Sequence, residues 1–194
     1  MISLVIGLGN IGVKYAGTRH NMGFEVLNIA AGKIGIAPSA GDGDYFVGEK
    51  EYGGRMVRFI WPTTFMNNSG AAVKQAVEKY DVPLDEILIV YDDCYLPLGT
   101  IRIRRQGSDG GHNGMESVIY HLESEEIIRL RVGIGPLPEE IDLIEFVLGR
   151  FSEKEAEIKE KVLGKSAEAV LYLLSHSPEE AMSQYNRNPA PEEE

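Results

Sequence analysis

The sequence predicts a single globular α/β domain over residues 1–187, built on a twisted, mixed and mostly parallel sheet with helices on both faces, followed by an acidic, proline-containing tail at 188–194 expected to be disordered. Three observations predict it. Short continuous apolar runs at Ile2–Ile6 and Ile87–Tyr91 read as strands buried on both faces. The order strand, helix, strand between Arg55 and Tyr91 fits a parallel crossover. Finally, 194 residues of which 43% are hydrophobic suffice to bury one core.

Taken in order, the first strand gives way to a glycine-rich stretch, Gly7 to Gly23, after which Phe24, Leu27, Ala30 and Ala31 recur at helical spacing and predict a helix from Gly23 to Ala31. Pro38 to Asp44 is turn chemistry. Tyr45–Glu49 and Arg55–Trp61 read as a hairpin about Tyr52-Gly53-Gly54. In the loop Pro62 to Gly70, Ser69 is expected to cap a helix whose apolar face is Ala72, Val73, Ala76, Val77 and Tyr80. The next strand, Ile87–Tyr91, ends at Asp92-Asp93. Thr100 to Arg104 alternates apolar with basic residues, and a loop from Gly107 to Gly114 leads into a helix from Met115 to Leu122. Ile128 to Ile134 is a strand with Leu130 and Val132 on one face and Arg129 and Arg131 on the other. Ser152 with Glu155, and Ser177 with Glu180 behind Pro178, match capping boxes, and Ile158, Val162, Ala169, Val170, Leu173 and Leu174 form the stripe of a long helix between them.

Composition narrows the function. With 30 acidic and 19 basic side chains the formal net charge is −11, so nucleic-acid contact would need a local basic stripe rather than a basic protein. One cysteine, Cys94, excludes an internal disulfide and suits a reducing compartment. No run approaches a membrane span, and no secretory signal is visible.

Gly7, Gly9 and Gly12 satisfy the G-x-G-x-x-G pattern of dinucleotide sites, but the helix that should start at the third glycine and the acidic residue about 20 positions on are both missing. Polar groups instead gather where strands end, at Asn10, Asn67, Asp92 and His112-Asn113, with His20 in the loop out of the first strand. If the strands are parallel neighbours, one rim holds a histidine, a carboxylate and several carboxamides. No G-x-S-x-G and no H-E-x-x-H is present, so neither a serine elbow nor a zinc motif is signalled. One base, one orienting acid and amide donors remain, enough to activate water against a reactive ester.

The segments GLGNIGVKYAGTRHNMG, PTTFMNNSG, VYDDCYLPLG, GGHNG, RLRVGIG and FVLGRF occur in an order that resembles the bacterial-type peptidyl-tRNA hydrolases, over residues 3 to 186. The resemblance implies a metal-free, cofactor-free, cytoplasmic and usually monomeric α/β enzyme without membrane or obligate protein partner. It would act on peptidyl-tRNA, cleaving the ester between peptide and terminal ribose. It places the general base on His20, its partner carboxylate on Asp92, discrimination of blocked from free aminoacyl ends on Asn10, and substrate contacts on Tyr15, Phe65, Asn67 and Asn113. Two departures stand out, Ile11 where the family usually has proline and Tyr95 where it has an acid. His112 is open between substrate binding and pinning the glycine-rich loop. Arg102, Arg104, Arg129 and Arg131 are open between a tRNA-binding face and surface ion pairing, with Arg104 and Arg131 taken as the tRNA candidates. Asp93 is expected to face solvent, and Cys94, His121 and His176 to be structural. The alternatives are a catalytically silent RNA-binding relative and a nucleotide-binding enzyme using the Gly7–Gly12 loop.

Overall fold

The computed structural model describes residues 1–186, so the predicted disordered tail at 188–194 lies outside the described residues. Seven strands form one sheet: β1 (Leu4–Gly7), β2 (Ser39–Ala40), β3 (Tyr45–Tyr52), β4 (Arg55–Pro62), β5 (Ile87–Pro97), β6 (Ile101–Arg104) and β7 (Ile128–Gly135), in the order β2-β3-β4-β1-β5-β7-β6. β4, β1, β5 and β7 are mutually parallel. The outer strands β3 and β6 run antiparallel to their neighbours. The helices are α1 (Met22–Lys33), α2 (Ser69–Tyr80), α3 (Asn113–Leu122), α4 (Leu143–Leu148), α5 (Ala156–Leu173) and α6 (Pro178–Tyr185).

Alternate side chains of the central strands feed two cores, as the two-residue period of a strand requires. Val5, Leu88, Val90 and Leu130 pack with Val26 and Leu27 of α1 and Val162 and Val170 of α5. Leu4, Ile6, Ile87 and Ile89 pack with Val73 and Ala76 of α2 and Met115 and Val118 of α3. Glycine is needed where α1 meets the sheet: a Cβ on Gly23 would collide with the carbonyl oxygens of Val90 and Leu8, and one on Gly7 with that of Gly23. These two glycines of the loop region therefore serve backbone packing. The helix after β1 starts at Met22, ten residues past Gly12, which removes the geometry of a dinucleotide site.

The structure corrects the sequence reading at several points. β1 begins two residues later than expected, and the turn after Pro38 contains the two-residue strand β2. Ser69 is the first residue of α2 rather than its cap; Asn68 holds the cap position without a side-chain bond. β5 does not stop at Asp92 but continues to Pro97 after a register shift beyond Asp93. Because β6 is antiparallel, its carboxyl end lies on the rim opposite to that of β5, and the Gly107–Gly111 loop has to travel back across the sheet. Both capping boxes form: Glu155 accepts from the backbone N–H of Ser152 at 2.7 Å, and Glu180 from that of Ser177 at 2.9 Å. Ile158, placed in the core stripe of α5, is 45% exposed.

Arg129 is the largest correction. Its side chain is 1% exposed and donates to four backbone carbonyls, those of Ile127, Gly107, Ser108 and Glu125. A buried guanidinium needs such acceptors, and with its donors spent on them Arg129 serves the loop and not a basic surface.

Candidate active site

Asp92 comes to its place because the apolar run Ile87–Tyr91 forms the first half of β5, one of the inner parallel strands, and the next side chain, midway along that strand, is 1% exposed. His20 arrives from a 3-10 turn, Arg19–Asn21, just ahead of α1. Both of its neighbours are tied down. The Arg19 guanidinium bonds Arg150 O at 2.8 Å and the Glu155 carboxylate at 2.9 Å, and it lies over the rings of Phe146 and Phe151. Asn21 exchanges two bonds with the Asn10 backbone, accepting from its N–H at 2.8 Å and donating to its carbonyl at 2.9 Å. Through these contacts the FVLGRF segment anchors the turn that carries His20.

His20 Nδ1 lies 3.0 Å from Asp92 Oδ2 and 3.1 Å from Oδ1, joining residues 72 positions apart. A carboxylate accepts, so Nδ1 carries the proton and Nε2 keeps a lone pair. His112 Nε2 lies 3.1 Å from Asp92 Oδ1 on the other side, while His112 Nδ1 accepts from the Met115 N–H at 3.1 Å. The His112 ring is held between those of His20 and Tyr91, each centroid 4.8 Å away. All three members of the cluster are buried.

Electrostatics reinforce this arrangement. Burial pushes the His20 imidazole down from its ordinary value of 6.5, but the charge of Asp92 and its hydrogen bond together push harder the other way, and the net shift is upward. Burial pushes Asp92 up, and the two imidazoles beside it more than reverse this, leaving the carboxyl well below the usual range. The ligating atoms of His20, Asp92 and His112 lie within 4.8 Å of one another, close enough to ask whether they could hold a metal ion. His112 argues against it. A neutral imidazole that ligates through Nε2 carries its proton on Nδ1, and here Nδ1 already faces a backbone N–H donor.

A cleft opens onto the cluster, lined by His20, Asp92, His112, Asn113, Tyr95 and Ile144 among others. Asn113 also lines a shallower groove with Asn67 and the exposed Tyr120. Asn10 sits on a different opening, beside Ile11 and Asn28, and its Oδ1 accepts from the Met66 N–H at 2.8 Å. The exposed ring of Phe65 meets that of Tyr15 edge-on at 6.3 Å. Arg104 and Arg131 line a fourth cavity that shares Tyr91, Asp93, Asp109 and Gly110 with the main cleft. Asp93 is buried rather than solvent-facing, paired to Arg131 at 2.5 Å and accepting from the Tyr95 N–H at 2.8 Å. His121 bonds Ser117 O and His176 stacks on Tyr172, away from the cleft.

Sequence reasoning missed α4, which supplies Leu143, Ile144 and Val147 to the cleft wall. A signal was present. Asp142 stands three residues before Glu145, and the Asp142 carboxylate accepts from Ile144 N at 2.9 Å as an N-cap does.

The sequence model described as peptidyl-tRNA hydrolase matches residues 4–193. Among curated relatives, a peptidyl-tRNA hydrolase of Caldanaerobacter subterraneus subsp. tengcongensis is 46% identical over 183 residues, covering 94% of this chain and 98% of the relative. One from Thermotoga maritima is 46% identical over 184 residues, covering 94% and 96%. The crystal structure of peptidyl-tRNA hydrolase from Acinetobacter baumannii superposes with a TM-score of 0.90 at 33% identity, covering 95% of this chain and 94% of that one.

Proposed function

The chain belongs to the peptidyl-tRNA hydrolase family, and on that premise we propose how its own residues cleave the ester between a peptide, or an N-blocked aminoacyl group, and the 3′-terminal ribose of tRNA. Water bound at His20 Nε2 gives its proton to the imidazole as its oxygen attacks the ester carbonyl. Asp92 holds the Nδ1 proton, keeps the lone pair on Nε2 and stabilises the imidazolium that forms. When the tetrahedral intermediate collapses, the C–O bond to ribose breaks and His20 returns the proton to the departing hydroxyl. The observation that carries this reading is the buried His20–Asp92 contact at 3.0 Å, on the wall of an open cleft.

The amides fit supporting roles. With Asn10 Oδ1 engaged by Met66, its Nδ2 is the group left to donate, which suits a peptide carbonyl and leaves an α-ammonium facing another donor. Asn67 and Asn113 are suited to further peptide bonds, and Tyr15 with Phe65 to an exposed aromatic platform for the 3′ end. In this reading residues 1–187 act as one domain, as a monomer in the cytoplasm, without an obligate protein partner. The nucleotide-binding reading is not favoured, and a silent RNA-binding relative would bind the same substrate without releasing peptide.

Release of the acyl group from N-acetylated aminoacyl-tRNA, compared with the same tRNA carrying a free α-amine, tests this reading. A donor-lined pocket predicts a preference for the blocked substrate of at least about tenfold, the size of one unpaired, desolvated charge contact. Equal rates on both would contradict the role given to Asn10, and no release from either would leave the silent relative.

Arg104 and Arg131 are proposed to meet tRNA phosphates. Arg104 is exposed, with a bond to Ile103 O at 3.3 Å, whereas the charge of Arg131 is shared with Asp93. Arg104→Ala is therefore expected to lower the slope of log affinity against log salt by about 0.9, the value for one lost duplex phosphate contact. An unchanged slope would assign Arg104 to the protein surface alone.

A further inference from the structure

We propose that His112 is a positioning residue: with its proton fixed on Nε2 by the helix it caps, it holds the Asp92 carboxylate in the orientation that His20 requires and shares that carboxylate's negative charge. The inference rests on His20 being the base, and it gives His112 a part that neither substrate contact nor loop pinning describes.

Four observations carry it. A backbone N–H can only donate, so the Met115 bond identifies Nδ1 as the unprotonated nitrogen and puts the single proton on Nε2. That proton points at Asp92 Oδ1 over 3.1 Å. The ring cannot swing away easily, because it is packed between His20 and Tyr91. Lastly, the loop before it is shaped for delivery: Gly110 and Gly111 take φ values of 60° and 79°, the left-handed turn that returns the chain from β6 to the cleft. Asp92 Oδ1 thus meets two N–H groups while Oδ2 meets only His20, and the second donor fixes the carboxylate plane.

Sharing the charge sets the strength of the base. A carboxylate that already accepts from His112 stabilises a protonated His20 less than one facing His20 alone. The other ionisable groups around the cleft are Tyr91, Asp93, Cys94 and Tyr95 of β5, Asp109 of the loop, and the exposed Glu145 of α4. Asp93 is matched by Arg131, and Asp109 accepts from the Gly111 N–H at 2.7 Å. Neither bonds His20, so the titration of His20 reports chiefly on Asp92 and its second donor.

Two substitutions separate the roles. His112→Asn keeps a good helix-capping acceptor but is too short to reach Asp92. His112→Gln reaches further and can restore an N–H donor there. Rates of release from N-acetylated aminoacyl-tRNA, measured across pH, are expected to show kcat in the Asn variant down about tenfold with KM within about twofold. The midpoint of the acid limb should move up by about half a unit, a fraction of the roughly one to two units that a hydrogen bond to a charged group is worth, because the lost bond reaches His20 only through Asp92. The Gln variant should return part of both changes, and the thermal midpoint of the Asn variant should stay near that of the parent. An acid limb that does not move in the Asn variant overturns the proposal; if KM rises instead, His112 binds substrate. A parent enzyme without any acid limb overturns the base assignment, and this inference with it.

Discussion

His20→Ala is expected to lower kcat/KM for N-acetylated aminoacyl-tRNA by about a thousandfold, within the range that a positioned general base contributes, while tRNA affinity stays within about twofold. The separation follows from the geometry. His20 is 7% exposed, its Nδ1 is spent on Asp92, and only Nε2 faces the cleft, so its removal takes away the acceptor for a proton and little binding surface. Single-turnover release with enzyme in excess, alongside binding of deacylated tRNA, checks both halves. Equal release by parent and variant would take His20 out of the reaction. Weakened binding with an unchanged single-turnover rate would make it a substrate contact.

Asp92→Asn is expected to cost about a hundredfold or more in kcat, for a different reason. The replacement is nearly isosteric and fills the same buried place on β5, so the fold should persist. What is lost is the charge. Without it burial alone governs the imidazole and pushes His20 below its ordinary value, and an amide can present either N–H or C=O to Nδ1 and so ceases to fix the tautomer. The variant's acid limb should accordingly lie lower than the parent's, together with the slower plateau.

The same linkage ties stability to pH. His20 has a raised folded value, so the stabilisation it draws from Asp92 is complete below 6.5, its ordinary value, and fades as pH rises through the folded value. Asp92 has a depressed folded value, so its contribution is present above 3.8 and is lost as pH falls toward the folded value. The pair is most stabilising between those limits, where Asp92 is ionised and His20 is charged and cannot serve as a base. Activity is gained in the range where that attraction is given up.

Much of the frame was legible in the sequence because it depends on local chemistry. Gly53-Gly54 between two alternating runs gives the β3–β4 hairpin, and the continuous apolar run before Asp92 gives the first half of β5. The His20–Asp92 pair was legible through its motif positions rather than through spacing, since nothing in periodicity brings residues 72 apart into contact. Three features were not legible, and for related physical reasons. Alternation in β7 showed that Arg129 and Arg131 share a face, but not that loops from residues 107 and 125 would cover Arg129 and take its donors. Asp93 looked like a strand-end turn because β5 was expected to stop, whereas the strand continues and folds it under Arg131. His112 kept two readings because its role depends on the antiparallel course of β6, and strand direction follows from pairing partners far away in sequence.

The claim on which the rest depends is that an imidazole raised by a buried carboxylate takes the proton from water. The pH dependence of kcat/KM in parent and Asp92→Asn enzymes, measured side by side on N-acetylated aminoacyl-tRNA, tests it most directly. The parent's rate is expected to rise with pH through a single limb centred above 6.5, and the limb to shift to lower pH in the variant. A parent profile flat down to about pH 4, below any ordinary histidine, or limbs that coincide in the two proteins, would contradict it.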